Sequence, residues 1–421
     1  MSHAVATSRR TSVRWRVFTL IGLLTVVNLA DRTSLSVGMP SIARDLHIAP
    51  SIQGIILSAF FWTYAAMQLP SGWLIDRFGP SRLIAGATLL WGAFQTLMFA
   101  VGGGLSLIIL RLGLGAAEAP MFPAGGKLNA LWLPPAERGR GAVLMDSGSY
   151  LGAAIGGIGI AWLIAVLGSW RLAFGIAGLI TLALGIYVAL TLRDDPATHP
   201  AIDATELTHI RQAGTSRPTT HPTDAGVTFR TAAPVMLGRI GWAMVNFGLL
   251  TWGPSYLAQA RGLDLKQMGA ATFAIFGAGF FGSLSAGFLA DGMVAAGLTR
   301  RVVLRLLLTI SGLAVFAAFL ILPHIPSATS AVMLLAATDF MLCGGSLYWS
   351  LPSILAPPAR AGLLGAWMNL AGSVGGIIVP IIAGLLLQAT GTYTAVLVFF
   401  ALCAALYILG TLLIPLPRGT T

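Results

Sequence analysis

The chain has 421 residues, 56% of them hydrophobic and only 9% charged, with 51 glycines, 11 tryptophans and a formal net charge of +11. No soluble domain of this size carries so few charges, and apolar runs of roughly 20 residues recur, each long enough to cross a hydrocarbon core about 30 Å thick as a helix. The runs show no period-2 polar alternation, which excludes a transmembrane barrel, so the fold class is an all-α polytopic membrane protein.

In chain order, the first apolar run follows the basic tail "MSHAVATSRRTSVRWR" and continues past Asp31 without a small-residue cleavage site. It is read as a retained helix, not a signal peptide. Helices are predicted near 15–38, 52–74, 82–101, 104–130, 139–166 and 171–192. The only long polar stretch, rich in Pro, Thr and Asp, follows at 193–229 and reads as an exposed linker. Six more helices are predicted near 230–258, 267–290, 301–322, 329–350, 360–388 and 392–415. The predicted organisation is an N-terminal six-helix bundle over 1–192, the linker, and a C-terminal six-helix bundle over 230–421.

Basic residues set the orientation, because short cytoplasmic loops accumulate Lys and Arg. Arg9, Arg10, Arg14, Arg16, Arg77, Arg82, Arg138, Arg140, Arg193, Arg211, Arg217, Arg300, Arg301, Arg360 and Arg418 fall on one side; Arg44, Arg171, Arg261 and Lys266 fall on the other. Both termini and the linker are therefore expected in the cytoplasm. Juxtamembrane arginines and attraction to anionic lipid account for the basic balance without any nucleic-acid partner.

Charges at membrane depth are costly enough to point to mechanism. Helix 1 carries Asp31 and Arg32 in "LTVVNLADRTSLSVGMPSI", and helix 4 carries Arg111 and Glu118 in "RLGLGAAEAPMFPAGG". Arg111 and Glu118 are seven residues apart, two helical turns, so they share a face, with Gly115 between them. Packed against helix 1, the four would form a buried cluster of two acids and two bases, neutral when all are ionised. Protonating Asp31 or Glu118 would leave an arginine underpaired, and such a guanidinium is a bidentate site for a carboxylate. Proton uptake and anion binding would then favour one another, the linkage that symport requires. Two static salt bridges that fix helix packing are the other reading. Asp146 in helix 5 and Asp339 in helix 10 are further acids in apolar runs; Asp339 is either a second protonatable site or a structural residue.

Glycines recur four apart in "GSYLGAAIGG" of helix 5 and as a small-residue set in "NLAGSVGGIIVP" of helix 11. Such stripes suit close helix crossings and are expected on surfaces that slide during alternating access. The two halves also echo one another: "GWLIDRFGPSR" at 72–82 is repeated in part by "GFLADG" at 287–292, with equal spacing from Gly72 to Asp76 and from Gly287 to Asp291. Parallel repeats about an axis along the membrane normal would produce this.

The segment "GWLIDRFGPSR" closely resembles the helix 2–3 loop signature of the major facilitator superfamily. "NLADRTSLS", "FWTYAAMQLPSGWLIDRFG" and "RLGLGAAEAPMFPAGGKL" are similar to its anion:cation symporter branch, which includes bacterial galactonate and glucarate transporters and, more distantly, sialin and the vesicular glutamate transporters. The resemblance implies a major facilitator fold of 12 transmembrane helices in a bacterial inner membrane, acting as a monomer on a small organic anion such as a sugar acid, with protons as the coupling ion and no other cofactor. Asp31 and Glu118 match the proton-coupling acids, Arg32 the ligand of the substrate carboxylate, and Arg111 the charge partner of that network. Tyr64 matches a substrate-contacting tyrosine, and Ser346, Trp349 and Asn369 align with the sugar-acid site. Asp76, Arg77 and Arg82 inherit a gating role, latching the cytoplasmic side in the outward-facing state; the plainer reading of Arg77 and Arg82 is that they mark the cytoplasmic face. Two departures stand out: Ser149 replaces a glutamine and Tyr348 replaces a small threonine. A pocket with one fewer amide and one more ring suits a shorter, less hydroxylated or partly aromatic acid. Tyr348, Trp349 and Tyr64 could form a flat wall, or simply pack in the bundle.

An enzyme would need a nucleophile and base, or metal ligands, at membrane depth. None is visible: His47, His199, His209, His221 and His324 fall in loops and His3 in the tail. Cys343 and Cys403 lie in apolar runs without ligand or redox spacing, so neither a metal nor a disulfide is expected. A proton-independent anion uniporter or exchanger of the same fold, and a symporter specific for aromatic or dicarboxylic acids, remain open at this stage.

Overall fold

The computed structural model describes residues 12–135, 137–212, 229–356 and 358–416. Among them twelve helices are long and apolar enough to cross a membrane: α1 Val13–Asp45, α2 Pro50–Phe78, α3 Pro80–Ala100, α4 Gly104–Trp132, α5 Arg138–Leu167, α6 Trp170–Thr191, α7 Phe229–Gln259, α8 Leu265–Ala295, α9 Arg300–His324, α10 Ala328–Ser350, α11 Pro358–Thr390 and α12 Tyr393–Leu413. This is the all-α bundle that the apolar runs predict. Arg9, Arg10, Arg217 and Arg418, with the linker between 213 and 228, lie outside the described residues. The clearest boundary difference is α1, which runs through Pro40 to Asp45; a proline inside a membrane helix is tolerated when its neighbours re-satisfy the backbone.

Local chemistry explains the breaks that matter. Between α2 and α3 the "FGP" of the loop makes the turn: Gly79 takes φ +85°, open to glycine at no steric cost, and Pro80 starts the next helix. Pro120 interrupts α4 just after Glu118, splitting it into Gly104–Glu118 and Met121–Trp132. The last eight residues of α10, Cys343–Ser350, tighten into a 3₁₀ helix.

Three helix pairs recur in both halves, and in the second half α7 also packs closely on α12. In the first, α1 lies on α5, α2 on α4 and α3 on α6; in the second, α7 lies on α11, α8 on α10 and α9 on α12. Across the halves α2 meets α11 and α5 meets α8, which are equivalent pairs under the same repeat. Hydrogen bonds cross this seam from Ser51 N to Gln388 Oε1 at 3.1 Å, from Ser58 Oγ to Ile377 O at 2.7 Å and from Asn369 Nδ2 to Gln68 Oε1 at 3.0 Å. The Phe61 and Phe247 rings add a contact with centroids 4.5 Å apart.

The glycine stripes make two kinds of close contact. Gly148, Gly152 and Gly156 seat α5 against Gly22, Val26 and Ala30 of α1 inside one half, whereas Gly157 faces Thr272 of α8 across the seam. In α11, Gly375 faces Ala243 of its own half and Gly376 faces the Phe61 ring of the other.

The linker is also not simply exposed. Asp194 Oδ1 accepts from Ser81 N at 2.7 Å, placing an acid at the start of α3. A linker helix, Ala204–Gln212, buries Glu206, whose carboxylate accepts from Val13 N at 3.1 Å, Arg14 N at 3.2 Å and Arg14 Nη1 at 2.8 Å. Arg14 Nε binds Glu137 Oε2 at 2.8 Å, and His209 Nε2 lies 3.3 Å from Glu137 Oε1. Residues 193–212 are thus docked on the N-terminal half by charges that are far apart in sequence.

Two outcomes follow from this packing. Gly152→Val drives a branched side chain into the α1 backbone and is expected to lower the melting temperature of the purified protein, at a cost of about 1–3 kcal/mol; Gly159→Val, where a Cβ meets nothing within 4 Å, should leave it unchanged. The hydrogen bond from Arg14 holds the Glu137 carboxyl below its ordinary range. A carboxyl with a depressed folded value contributes stability above the unfolded value and loses it as pH falls through the folded one. The protection factor of 204–212, exchange corrected for its intrinsic pH dependence, should therefore fall below about pH 4.5, and Glu137→Gln should show low protection already at neutral pH.

Candidate functional site

The charges of α1 divide between two neighbours. Arg32 and Asn28 are four residues apart and share a face; Asp31 is one residue earlier than Arg32, about 100° round the helix. Arg32 Nε binds Glu118 Oε2 of α4 at 2.7 Å, and both side chains are buried. Asp31 is not in that pair: its Oδ2 accepts from Thr181 Oγ1 of α6 at 3.2 Å. Arg111 completes the group through an aromatic ring. Phe60 of α2 has the Arg32 guanidinium 4.5 Å from its centroid and the Arg111 guanidinium at 5.0 Å. Tyr64, one turn on, stacks on Phe60 and lies 4.7 Å from the Arg32 guanidinium. Two like charges are held close by the electron-rich ring as well as by acids.

Gly115 does allow close approach, but of α2: a Cβ there would strike the Phe60 carbonyl and Thr63. Without that approach Phe60 and Tyr64 would not reach the arginines. Several buried polar atoms here have no hydrogen-bond partner among the described residues: both side-chain atoms of Asn28, Arg32 Nη2, Glu118 Oε1 and Arg111 Nε. Unpaired buried groups cost about 1–3 kcal/mol each and more when charged. A group of them around one ion pair is the signature of a site that accepts water, protons or a ligand.

The second half contributes a residue that the sequence reading passed over. Arg239 of α7 is buried, lies 4.1 Å from the Trp242 ring centroid and 5.1 Å from that of Trp349, and has no hydrogen-bond partner at Nε or Nη1 among the described residues. The signal was present: an arginine inside "VMLGRIGWAM" is as costly at membrane depth as Arg32. Trp349 is 45% exposed, and Ser346, half-buried, shares its face because residues three apart eclipse in a 3₁₀ helix. For the same reason Tyr348 turns the other way. It is fully buried, its hydroxyl 2.8 Å from Thr411 Oγ1 and its ring beside Tyr407, so it does not share the wall of Trp349.

The remaining predicted residues take clear places. Asn369 bonds Gln68 across the seam. The half-buried Ser149 lies 3.5 Å from the carbonyl of Met145 in its own helix. Asp76 pairs with Lys127 of α4 at 2.6 Å on an exposed surface, Arg77 lies over Trp73 and Phe78, and Arg82 is exposed. Asp339 is fully buried against Gly279 of α8, and neither of its oxygens has a hydrogen-bond partner among the described residues.

Residues 21–380 match the family model of the Major Facilitator Superfamily. The chain belongs to that superfamily. It is a multi-pass membrane transporter and not an enzyme. Among curated relatives, the probable galactarate/D-glucarate transporter GudP of Bacillus subtilis is 31% identical over 96% of this chain and 92% of its own length. GarP of Escherichia coli, also a probable galactarate/D-glucarate transporter, is 30% identical over 93% and 92%. The probable sulfoacetate transporter SauU of Cupriavidus necator is 32% identical over 91% and 90%. Among solved structures, a bacterial homologue of the human lysosomal transporter Spinster, inward-facing and unoccupied, superposes with a TM-score of 0.74 at 18% identity, covering 96% of this chain and 98% of that one.

In this major facilitator, the Arg32–Glu118 pair makes a checkable demand on stability. Arg32→Gln and Glu118→Gln each leave a buried charge without its partner and are expected to cost about 3–5 kcal/mol. The double variant should cost less than the sum of the two, a coupling read from thermal unfolding of the purified proteins. Strict additivity would mean that the pair is not formed.

Proposed function

We propose that the protein is a proton-coupled symporter that carries a small organic carboxylate, a sugar acid or a related acid, inward by alternating access of its two six-helix halves. The observation that carries this reading is Arg32: buried, bonded to Glu118 Oε2 through Nε, and with no hydrogen-bond partner at Nη2 among the described residues. A proton on Glu118 removes the counter-charge of Arg32, and a substrate carboxylate can then take its place in a bidentate bond. The proton and the anion thus load together, each raising the affinity for the other. Asp31, next to the same network, is the second coupling acid, and Arg111 keeps the cluster balanced.

The substrates named for the three relatives all carry a carboxylate, which supports the same chemistry. Tyr64, Ser149, Ser346, Trp349 and Asn369 would line the site, while Tyr348 is buried against Thr411 and Tyr407 away from it. Asp76 and Arg77 would exchange their present partners within the N-terminal half for contacts across the halves when the terminus end closes, and the exposed Arg82 would gain such a contact. The arginine distribution supports cytoplasmic termini in a bacterial inner membrane, and the protein acts as a monomer. Two protons with one monoanion move one net positive charge inward, worth about 2.3 kcal/mol per 100 mV.

Purified protein in liposomes tests this directly. Uptake from a panel of sugar acids, dicarboxylates and aromatic acids should accumulate under an inward proton gradient. Asp31→Asn and Glu118→Gln should lose gradient-driven accumulation by tenfold or more, while at least one of them keeps gradient-free counterflow. Uptake indifferent to the gradient would replace symport with uniport or exchange.

A further inference from the structure

We propose that Asp339 is a third proton-binding site of the transport cycle, placed in the second half and reached from the seam between the halves through Tyr150 and Cys343. This rests on the symport reading above and adds to it an acid which that reading does not use.

Depth and solvation come first. Asp339 lies eleven residues past Ala328, the start of α10, about 17 Å along the axis of a helix long enough to span the membrane. It is 0% exposed. Neither carboxyl oxygen has a hydrogen-bond partner, and neither joins an ion pair within 4.0 Å, among the described residues. An ionised carboxylate buried in that way costs far more than the neutral acid, so the group is carried with a proton. An aspartate that serves only to hold structure finds donors. Asp45 has Arg171 and Trp170, and Asp194 has the backbone N–H of Ser81.

The surroundings supply a way in. Asp339 and Cys343 are four residues apart and share a face of α10. Both meet Gly279 of α8, where a Cβ would strike Asp339 Oδ2 and come 3.0 Å from Cys343 Sγ. Tyr150 of α5, in the other half, interacts with Cys343 and with Asp339. Asp146, one turn before Tyr150, faces Ser283, one turn beyond Gly279 on α8. Asp146, Tyr150, Cys343 and Asp339 thus follow one another inward from the place where α5 meets α8, and each can both give and take a proton. Arg239 of α7 acts on Tyr150 and Asp146 but forms no ion pair with Asp339 among the described residues, and Ser311 of α9 is bonded to Met341 O instead.

The helix that carries the acid also changes form beside it. α10 passes from α to 3₁₀ at Cys343, and the 3₁₀ part carries Ser346 and Trp349 of the proposed substrate site. A 3₁₀ stretch within a long helix often marks a hinge. A proton leaving Asp339 would set an unpaired charge against α8, relieved by loosening the α8–α10 contact or by water entering along the seam. The charge of Asp339 is thereby tied to the position of the site residues one and two turns further on.

The experiment is the reversal potential of net transport by the purified full-length protein in liposomes, which counts protons per anion, with galactarate, D-galactonate, sulfoacetate and succinate as probes. Asp339→Asn keeps the shape of the neutral acid but has no proton to release. It is expected to carry the accepted probe with one proton fewer per anion than the unmodified protein. Where the empty carrier must return with Asp339 ionised, net uptake is instead lost by tenfold or more. In both cases gradient-free counterflow should change less than twofold. Tyr150→Phe, which lacks the hydroxyl of the route, should slow proton-driven uptake tenfold or more, and full-rate uptake there overturns the route. Net uptake with an unchanged proton count in Asp339→Asn overturns the inference and leaves symport standing. Loss of counterflow together with net uptake does the same, because it is the result of a purely structural role. Should Asp339→Asn fail to fold, Asp339→Ser, smaller than aspartate and clear of α8, decides by the same count. Uptake indifferent to the proton gradient, or no uptake of any probe, by the unmodified protein overturns the symport reading and this inference with it.

Discussion

The contact on which the rest of the site depends is the bond from Arg32 to Glu118. It joins α1 to α4 where neither charge has water to fall back on. Everything nearby follows from keeping that pair affordable in a dry interior. Gly115 brings α2 close enough for Phe60 to sit between two guanidiniums. Pro120 ends the helix just past the acid. Thr181 takes Asp31, so the second carboxylate does not compete for Arg32. A buried pair of this sort contributes little net stability compared with apolar packing. As proposed, a proton or an anion would change its balance, and both helices that hold it belong to the N-terminal half.

The second half answers with a different solution to the same problem. Arg239 has tryptophan faces instead of a carboxylate, so its charge is oriented but not cancelled. The first half holds acids that can change charge beside its arginine, and the second holds a cation that cannot. Under the proposed alternating access, an anion entering between the two halves would complete the electrostatics that these side chains leave open.

Much of this was legible in the sequence, for physical reasons. Membrane helices announce themselves by length and apolarity, and all twelve were visible. Asp31, Arg32, Arg111 and Glu118 stood out because a charge in an apolar run is rare. Arg239 obeyed the same rule and was missed beside the more familiar motifs of helices 1 and 4. Other features had no local signal. The seating of Glu206 on the start of α1 joins residues almost 200 apart, and only the folded chain brings them together. Tyr348 turns away from Trp349 because neighbours on any helix lie about 100–120° apart, and which of the two faces inward is set by the helices that α10 packs against. The glycine stripes were seen, but their two-sidedness depends on which neighbour each face meets.

That two-sidedness couples motions that would otherwise be separate. In α5 and in α11 adjacent glycines touch different bodies, Gly156 and Gly375 their own half, Gly157 and Gly376 the opposite one. Adjacent positions on a helix are about 100° apart, so a rotation that eases crowding on one surface tightens the other. The two helices therefore work like bearings with a single clearance. The fit inside each half and the fit between the halves are set by the same pair of backbones, and neither tolerance can change without the other.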